Sequence, residues 1–315
     1  LTITSPKATS RAARGGTKVG PVNLKKQLAV SILPLALGCG GASSTPATHT
    51  ASSKDLTMTA PSQKAQVVAL LRSIETGDPK AVASIDANHY RQHNLSAADG
   101  LAGFGALLAA LPPGSARVRP VRVFQDGPFV VTHTEYNFFG PKIGFDIFRF
   151  ADGKIVEHWD NLQDTPAKAN PSGHSMIDGP TEPTDLDRTE ANKSLVQSFV
   201  NQILVEGKLD KLPTFIGAEN SDYVQHNPAI GDGLSGLGTA LREMASRGIT
   251  MKYSKIHRVL GEGNFVLTVS EGTFANQPTA FYDLFRVAGG KIVEHWDTIE
   301  TIPPRSEWKN ENGKF

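Results

Sequence analysis

Gly153-Lys-Ile-Val-Glu-His-Trp-Asp160 returns as Gly290-Lys-Ile-Val-Glu-His-Trp-Asp297, eight residues unchanged and 137 positions apart. The flanks return as well, with Asp146-Ile-Phe-Arg149 before the first copy and Asp283-Leu-Phe-Arg286 before the second. Upstream, Tyr90-Arg-Gln-His-Asn94 answers Tyr223-Val-Gln-His-Asn227, each followed by Asp-Gly-Leu. Here the offset is 133, so a few loop residues separate the anchors differently in the two copies. Solenoid repeats are much shorter than this period, so the repeating unit is a whole domain.

At 315 residues there is room for two such domains. The composition, 39% hydrophobic and 20% charged with net charge +1, is that of a globular protein. A near-neutral balance without a long basic run argues against a nucleic-acid partner. Residues 1–38 read as a leader: Leu24-Lys-Lys-Gln precedes the apolar run Leu28 to Leu37, and Leu35-Ala-Leu-Gly-Cys39 closes it. This resembles a bacterial lipoprotein signal, which implies lipidation of Cys39, a chain start at Leu24 and a membrane partner through the lipid anchor. Gly40 after the cysteine resembles the sorting pattern for the outer membrane, so the expected location is its periplasmic side or the cell surface. Cys39 is the only cysteine, which excludes an intrachain disulfide.

Residues 39–61, rich in Ser, Thr, Ala and Gly, read as a flexible tether. Domain 1 is expected over 62–167, a linker over 168–188, domain 2 over 189–302 and a loosely packed tail over 303–315. Each domain opens with helical stripes, Val67, Leu70, Leu71 and Ile74 in one and Leu195, Phe199 and Ile203 in the other. Gly77 and Gly207 stop them, and Asp187 with Glu190 suggests a capping box. A third helix follows Asp-Gly-Leu, and then strands separated by turns at Asp126-Gly127 and Asp152-Gly153. Helices first and an antiparallel meander afterwards is an α+β layout.

The hairpin from Asp146 to Asp160 carries the chemistry. Side chains two apart on a strand share a face, as do directly opposed residues. If paired residue numbers sum to 306, one face carries Asp146, His158 and Asp160; if they sum to 305, Asp146 joins Glu157 and Trp159 instead. Both registers stay open on the sequence. An Asp in mid-strand among Phe and Ile is out of place unless it pairs with Arg122 or Arg149, or serves as a pocket acid or base. His93 and His226 suit proton transfer, ligand hydrogen bonding or capping. Trp159 and Trp296 suit a pocket wall or a domain contact, and Glu157 and Glu294 read as solvated strand residues. His93, His158, Asp146 and Asp160 include the types of a two-His-one-carboxylate metal site, but no His-x-x-x-His or Cys pair accompanies them, and no metal is expected. His133 has Val269 as its counterpart, which favours copy one for chemistry, with Glu271 as a compensating group in copy two.

Taken together, Tyr-x-Gln-His-Asn, Asp-Gly-Leu, Asp-[Ile/Leu]-Phe-Arg and Gly-Lys-Ile-Val-Glu-His-Trp-Asp resemble the SnoaL-like polyketide cyclase group of the nuclear transport factor 2-like superfamily, over 62–165 and 189–302. The resemblance implies two cone-shaped domains, each a curved antiparallel sheet wrapped on N-terminal helices around a deep apolar pocket. It implies intramolecular aldol condensation, or an isomerase-type variant, on a small carbonyl compound without a cofactor. A pocket Asp takes the α-proton while His, Asn or Tyr holds the enolate oxygen. Catalytic candidates in copy one are Asp146, Asp160, His93, His133 and His158; in copy two they are Asp283, Asp297 and His226. Ligand-binding candidates are Tyr90, Asn94 and Trp159, with Tyr223, Asn227 and Trp296. The superfamily also contains isomerases, epoxide hydrolases, dehydratases and binding modules, so the alternative is a non-catalytic lipoprotein that binds a hydrophobic ligand or a partner. A pseudo-dimer between the two domains is expected.

Overall fold

The computed structural model describes residues 61–112, 114–217 and 223–315. The leader, Cys39 and the tether lie outside the described residues. Domain 1 runs α1 (Gln63–Thr76), α2 (Pro79–Val82), β1 (Arg91–Gln92), α3 (Gly100–Ala110), β2 (Arg117–Asp126), β3 (Phe129–Asn137), β4 (Pro141–Ala151) and β5 (Lys154–Asp164). Domain 2 repeats the order with α4 (Thr189–Phe199), α5 (Leu212–Phe215), β6 (Val224–Gln225), α6 (Gly233–Ser246), β7 (Met251–Glu262), β8 (Phe265–Phe274), β9 (Gln277–Ala288) and β10 (Lys291–Thr301). The first helix shows why these segments fold as they do. Ser62 accepts a hydrogen bond from Ala65 N, and Gly77 turns left-handed at φ 70° to end the helix. Val67, Leu70 and Leu71 face inward between those caps. Two details differ from expectation. Arg188, not Asp187, precedes α4 and no side chain caps it, while Thr189 Oγ1 turns back to the Leu186 carbonyl. The chain beyond α4 continues as a π-helical turn, Val200–Val205, which buries Val200 and Ile203 before Gly207.

The strand orders are β1-β5-β4-β3-β2 and β6-β10-β9-β8-β7. The meanders are antiparallel as expected, but each sheet is mixed, because the Gln-His-Asn segments add a two-residue strand parallel to β5 and β10. The two hairpin registers are reconciled by a bulge. Asp146 opposes Asp160 and Phe148 opposes His158, but beyond Arg149 the pairing slips, so that Phe150 opposes Ile155. Copy two slips at the same place, between Ile292 and Glu294. The tight turn and the facing aspartates therefore coexist, each satisfied on its own side of one extra residue.

Alternation then sends neighbours in the repeated octapeptide to opposite faces. His158 and Asp160 point to the helix side of their sheet, where Val67, Leu70, Phe104, Val130 and Phe148 form the domain 1 core. Trp159 points the other way, into a core shared by both domains that includes Phe145, Ile147, Phe265, Tyr282 and Trp296. The domains thus pack sheet against sheet. Near the centre Asn161 donates to Thr298 O at 2.8 Å, Leu162 N donates to Glu300 Oε2 at 2.8 Å, and Ile299 N donates to Gln163 Oε1 at 2.9 Å. The last two contacts are related by the 137-residue offset, which is the signature of a pseudo-twofold axis. Flanking it, Arg258 lies over Trp159 at 4.0 Å and His93 stacks on the same indole, while Arg122 lies over Trp296 at 4.2 Å and His226 stacks on that one.

The segment after each meander crosses to the other domain. Asn170 in the interdomain segment donates to the carbonyls of Gln225 and Ile230, and Ser175 O meets His226 Nδ1 at 2.8 Å. The tail does the same for domain 1: Asn310 donates to the carbonyls of Asn94 and Ala97, and Gly313 O meets His93 Nδ1 at 2.8 Å. The expected loose tail is instead an anchored arm, with Asn310 and Lys314 buried.

Candidate active site

β1 brings Gln92 beside His158, and its alternation decides what faces the interior of domain 1. A cavity of about 270 Å³ opens there, walled by side chains of α1 and α3 such as Leu71, Ile74, Phe104 and Leu108. Its polar floor is made by Tyr90, Gln92, Asn94, Asp146, His158 and Asp160. An apolar wall with a few convergent polar groups is the usual form of a small-molecule site.

Asp146 is buried yet fully engaged. Tyr136 donates to its Oδ2 at 2.6 Å and Thr132 at 3.2 Å, while His158 Nε2 meets Oδ1 at 3.2 Å. Neither Arg122 nor Arg149 is its partner: Arg122 donates to linker carbonyls and Arg149 pairs with Glu157. The state of His158 follows from Gln92. Gln92 Oε1 already accepts from Asn94 N at 3.0 Å, so the ring atom 2.8 Å away, Nδ1, is the donor. His158 Nε2 is thereby the ring atom aimed at Asp146 Oδ1, and the two side chains form one hydrogen-bonded pair on the floor. Asp160 is held differently. Asn94 donates to its Oδ2 at 2.5 Å, and Lys314 of the tail stands 3.7 Å from Oδ1. Lys314 also pairs with Glu300 at 2.9 Å, and Glu300 itself lines the cavity from domain 2. Tyr90 OH accepts from Gln92 Nε2, and its own proton has no acceptor among the described residues. Burial, with the charges of Asp160 and Asp146, pushes its pKa up, so it stays a donor.

Domain 2 repeats this floor. His295 Nε2 meets Asp283 Oδ1 at 3.1 Å, Gln225 Oε1 meets its Nδ1 at 3.0 Å, and Asn227 donates to Asp297 Oδ2 at 2.7 Å. Two things differ. Burial opposes protonation of His295, but its bond to Asp283 and the two aspartate charges outweigh it and raise its pKa. Burial also pushes Asp297 up to about 6, and Asp297 Oδ1 and Asp283 Oδ2 have no hydrogen-bond partner among the described residues.

The hydroxyl on the inner Asp comes from different strands in the two copies. Tyr136 of β3 stands opposite Val118, whereas in copy two the β8 position is Gly272 and Tyr253 of β7 stands opposite it. Tyr253 OH reaches Asp283 Oδ1 at 3.1 Å. A side chain on Gly272 would meet Lys252 O at 1.9 Å, so the tyrosine has only one of the two places open.

Several expected site residues lie elsewhere. His93 and Trp159 stack on each other facing domain 2, as His226 and Trp296 do facing domain 1. His93 Nε2 is bound to Glu157 Oε1 at 3.0 Å and His226 Nε2 to Glu294 Oε1 at 2.9 Å, so neither imidazole faces the cavity floor. Glu157 and Glu294 are buried partners, not solvated residues; burial raises their pKa, but the histidine and Arg149 or Arg286 overcome it and hold both low. His133 is fully buried against Phe145 and beside Arg122, one residue out of phase with Asp146. Its replacement by Val269 therefore changes the domain contact, not the pocket. Glu271, proposed as a compensating base, pairs with His257 at 3.1 Å on β7. Tyr136, Thr132, Gln92, Glu300 and Lys314 were not singled out by sequence. Tyr136 was within reach, because it shares the two-residue period of Thr132 and Thr134; the Glu300–Lys314 pair arrives from the other domain and carries no local signal.

The model of the SnoaL-like domain matches residues 67–158 and 196–295. No curated protein matches the chain. Among solved structures, TsrD from Streptomyces laurentii is 19% identical over 31% of this chain and 85% of its own, with a TM-score of 0.28. A SnoaL-like polyketide cyclase from Agrobacterium tumefaciens is 11% identical, covering 35% and 91% with a TM-score of 0.27. An LEH-like epoxide hydrolase from M. tuberculosis is 24% identical, covering 36% and 85% with a TM-score of 0.27. With the family model matched twice over well over half of its length, this chain belongs to the SnoaL-like domain family and carries two copies of that domain in tandem.

Proposed function

We propose that domain 1 is an acid–base enzyme acting on a small apolar carbonyl compound. The observation that carries this reading is the contrast on one cavity floor: among the described residues Asp160 is tied by a single side-chain hydrogen bond, while Tyr90 offers a hydroxyl proton with no acceptor. Asp160 removes a proton from the carbon next to the carbonyl, and the electron pair moves onto oxygen as an enolate. Tyr90 donates a hydrogen bond to that oxygen, which stabilises the charge where it develops. The enolate carbon then attacks a second carbonyl of the same molecule, or takes the proton back at another carbon. The His158–Asp146 pair lies on the same floor and can give a proton to the product alkoxide; Asp160 then passes its proton to solvent and the pair takes one back, which restores the site. The chain is further read as an exported lipoprotein lipidated at Cys39, supported by Leu35-Ala-Leu-Gly-Cys39.

The test needs no knowledge of the natural substrate. Deuterium exchange at the α-carbon of 2-tetralone in D2O, followed by NMR, reports the first step alone. The native chain should accelerate exchange, and Asp160→Asn should lower the rate roughly 10²–10⁴-fold with little change in affinity. Binding of the ketone without exchange above background would favour the non-catalytic ligand-binding reading.

A further inference from the structure

The interdomain segment carries two side chains that the tail does not need for the same task. His226 is anchored as His93 is, with Nδ1 on an arm carbonyl and Nε2 on a buried glutamate. His174 occupies the place that Asn312 has in the tail, each bound to the Asp of Asp-Gly-Leu: His174 Nε2 meets Asp232 Oδ2 at 3.0 Å, and Asn312 donates to Asp99 Oδ1 at 2.7 Å. An asparagine thus suffices to dock the arm. In domain 2 a second imidazole stands there instead, with Asp178 beside it.

We propose that His174, Asp178 and His226 form a binding site for a divalent transition-metal ion of the zinc class. One ligand atom from each lies within 4.8 Å of the others. Both imidazoles are oriented alike. His174 Nε2 meets Asp232 at 3.0 Å and His226 Nε2 meets Glu294 at 2.9 Å, which leaves both Nδ1 atoms toward Asp178. Metal-ligating histidines characteristically give their other N–H to a carboxylate in this way. The Asp178 carboxylate lies between the rings, Oδ1 at 2.8 Å from His226 Nδ1 and Oδ2 at 3.9 Å from His174 Nδ1. Two imidazoles and one carboxylate select zinc, cobalt or nickel over calcium or magnesium. Ligands held at about 2.0–2.2 Å in a tetrahedron stand roughly 3.3–3.6 Å apart, so the His226–Asp178 contact must open and the His174–Asp178 contact close, each by about half an ångström. The side chains of His174 and Asp178, 32% and 47% exposed, have the room and give the ion a route from solvent. An ion at His226 Nδ1 would take the place of its contact with Ser175 O, which at 2.8 Å from that nitrogen is placed to serve as a further oxygen donor.

The other two His–Asp clusters are not equivalent. His158 and His295 each turn Nδ1 to a glutamine oxygen and Nε2 to an aspartate of the cavity floor, so in neither does Nδ1 face a carboxylate as it does in His174 and His226. An ion at His226 would staple the interdomain segment to the loop whose Gln225 and Asn227 hold His295 and Asp297.

The test is zinc calorimetry and the visible spectrum of added cobalt(II), both on the intact, tag-free chain in a non-coordinating buffer. The expected result is one ion per chain at micromolar affinity or tighter. Affinity should fall at least tenfold in His174→Ala and in Asp178→Ala, and stay unchanged in the surface variant His89→Ala. His174→Gln, which keeps a hydrogen-bonding group for Asp232, guards against loss of fold and should weaken zinc equally. Absence of saturable binding overturns the proposal. So does binding that survives both alanine variants, or that is lost in Asp160→Asn instead.

Discussion

Replacing Asp297 by Asn should make the protein more stable at neutral pH. Asp297 is buried with one oxygen unpartnered, and burial together with the nearby Asp283 raises its carboxyl from 3.8 to about 6. A carboxyl whose pKa is raised on folding binds its proton more tightly in the folded state. Its contribution is therefore most favourable below pH 4 and is lost as pH rises through 6. The shift of about two pKa units corresponds to about 3 kcal/mol of destabilisation above pH 7. Asn is neutral throughout and still accepts from Asn227, which now donates to Asp297 Oδ2 at 2.7 Å. Asp283 stands directly opposite on β9, and its Oδ2 has no partner among the described residues. Thermal unfolding followed by circular dichroism should show Asp297→Asn raising Tm by roughly 6–12 °C at pH 7.5, with the gain vanishing near pH 4. Asp160→Asn should give no such gain, because Asp160 has Lys314 at 3.7 Å to offset its charge. An unchanged or lower Tm at pH 7.5, or a gain that does not depend on pH, would refute the reasoning.

Three further outcomes test the faces, the tail and the proposed lipid anchor in turn. Trp159→Ala should cost roughly 3–5 kcal/mol in chemical denaturation while leaving ketone affinity intact, since the indole lies in the core shared by the domains; lost affinity without lost stability would return it to the pocket. Lys314→Met leaves Asp160 and Glu300 facing each other without a cation and should slow α-proton exchange on the order of tenfold; an unaltered rate would show that the tail does not serve the domain 1 site. Cys39→Ala should release the protein from membranes on fractionation, and an unmodified mature N-terminus by mass spectrometry would contradict lipidation.

The tandem was legible from the repeat 137 residues apart, and the helix-then-meander order, with facing aspartates as one of two registers, from local periods. Two-residue alternation from Asp146 to Asp160 needs only a register, and the sequence narrowed that register to two values. The bulge that uses both was invisible, since it depends on how one strand bends against its neighbours. Histidine and tryptophan in Gln-His-Asn and Glu-His-Trp-Asp were misread for another reason. Invariance between the copies marks a residue as constrained without saying on which face. The pocket constrains Gln92, Asn94, His158 and Asp160, while the domain contact constrains the residues between them, His93 and Trp159. Likewise the tail, polar and interrupted by two prolines, has the composition of a loose end; what fixes it is a set of side-chain bonds to backbone carbonyls more than 200 residues away.

The crossed arms have a consequence for how the chain holds together. Each domain carries, at its own C-terminal end, the piece that closes the other, so neither half is a self-sufficient product of translation. While domain 1 leaves the ribosome, its helix-side core can form, but its interdomain face and the underside of its Gln-His-Asn loop wait for residues synthesised last. Were the chain cut between the halves, the same contacts would become intermolecular and would depend on concentration. The covalent join replaces that dependence with a fixed, high local concentration. A cut within the interdomain segment should therefore give two fragments that still co-purify, each held by a strand of the other's polypeptide.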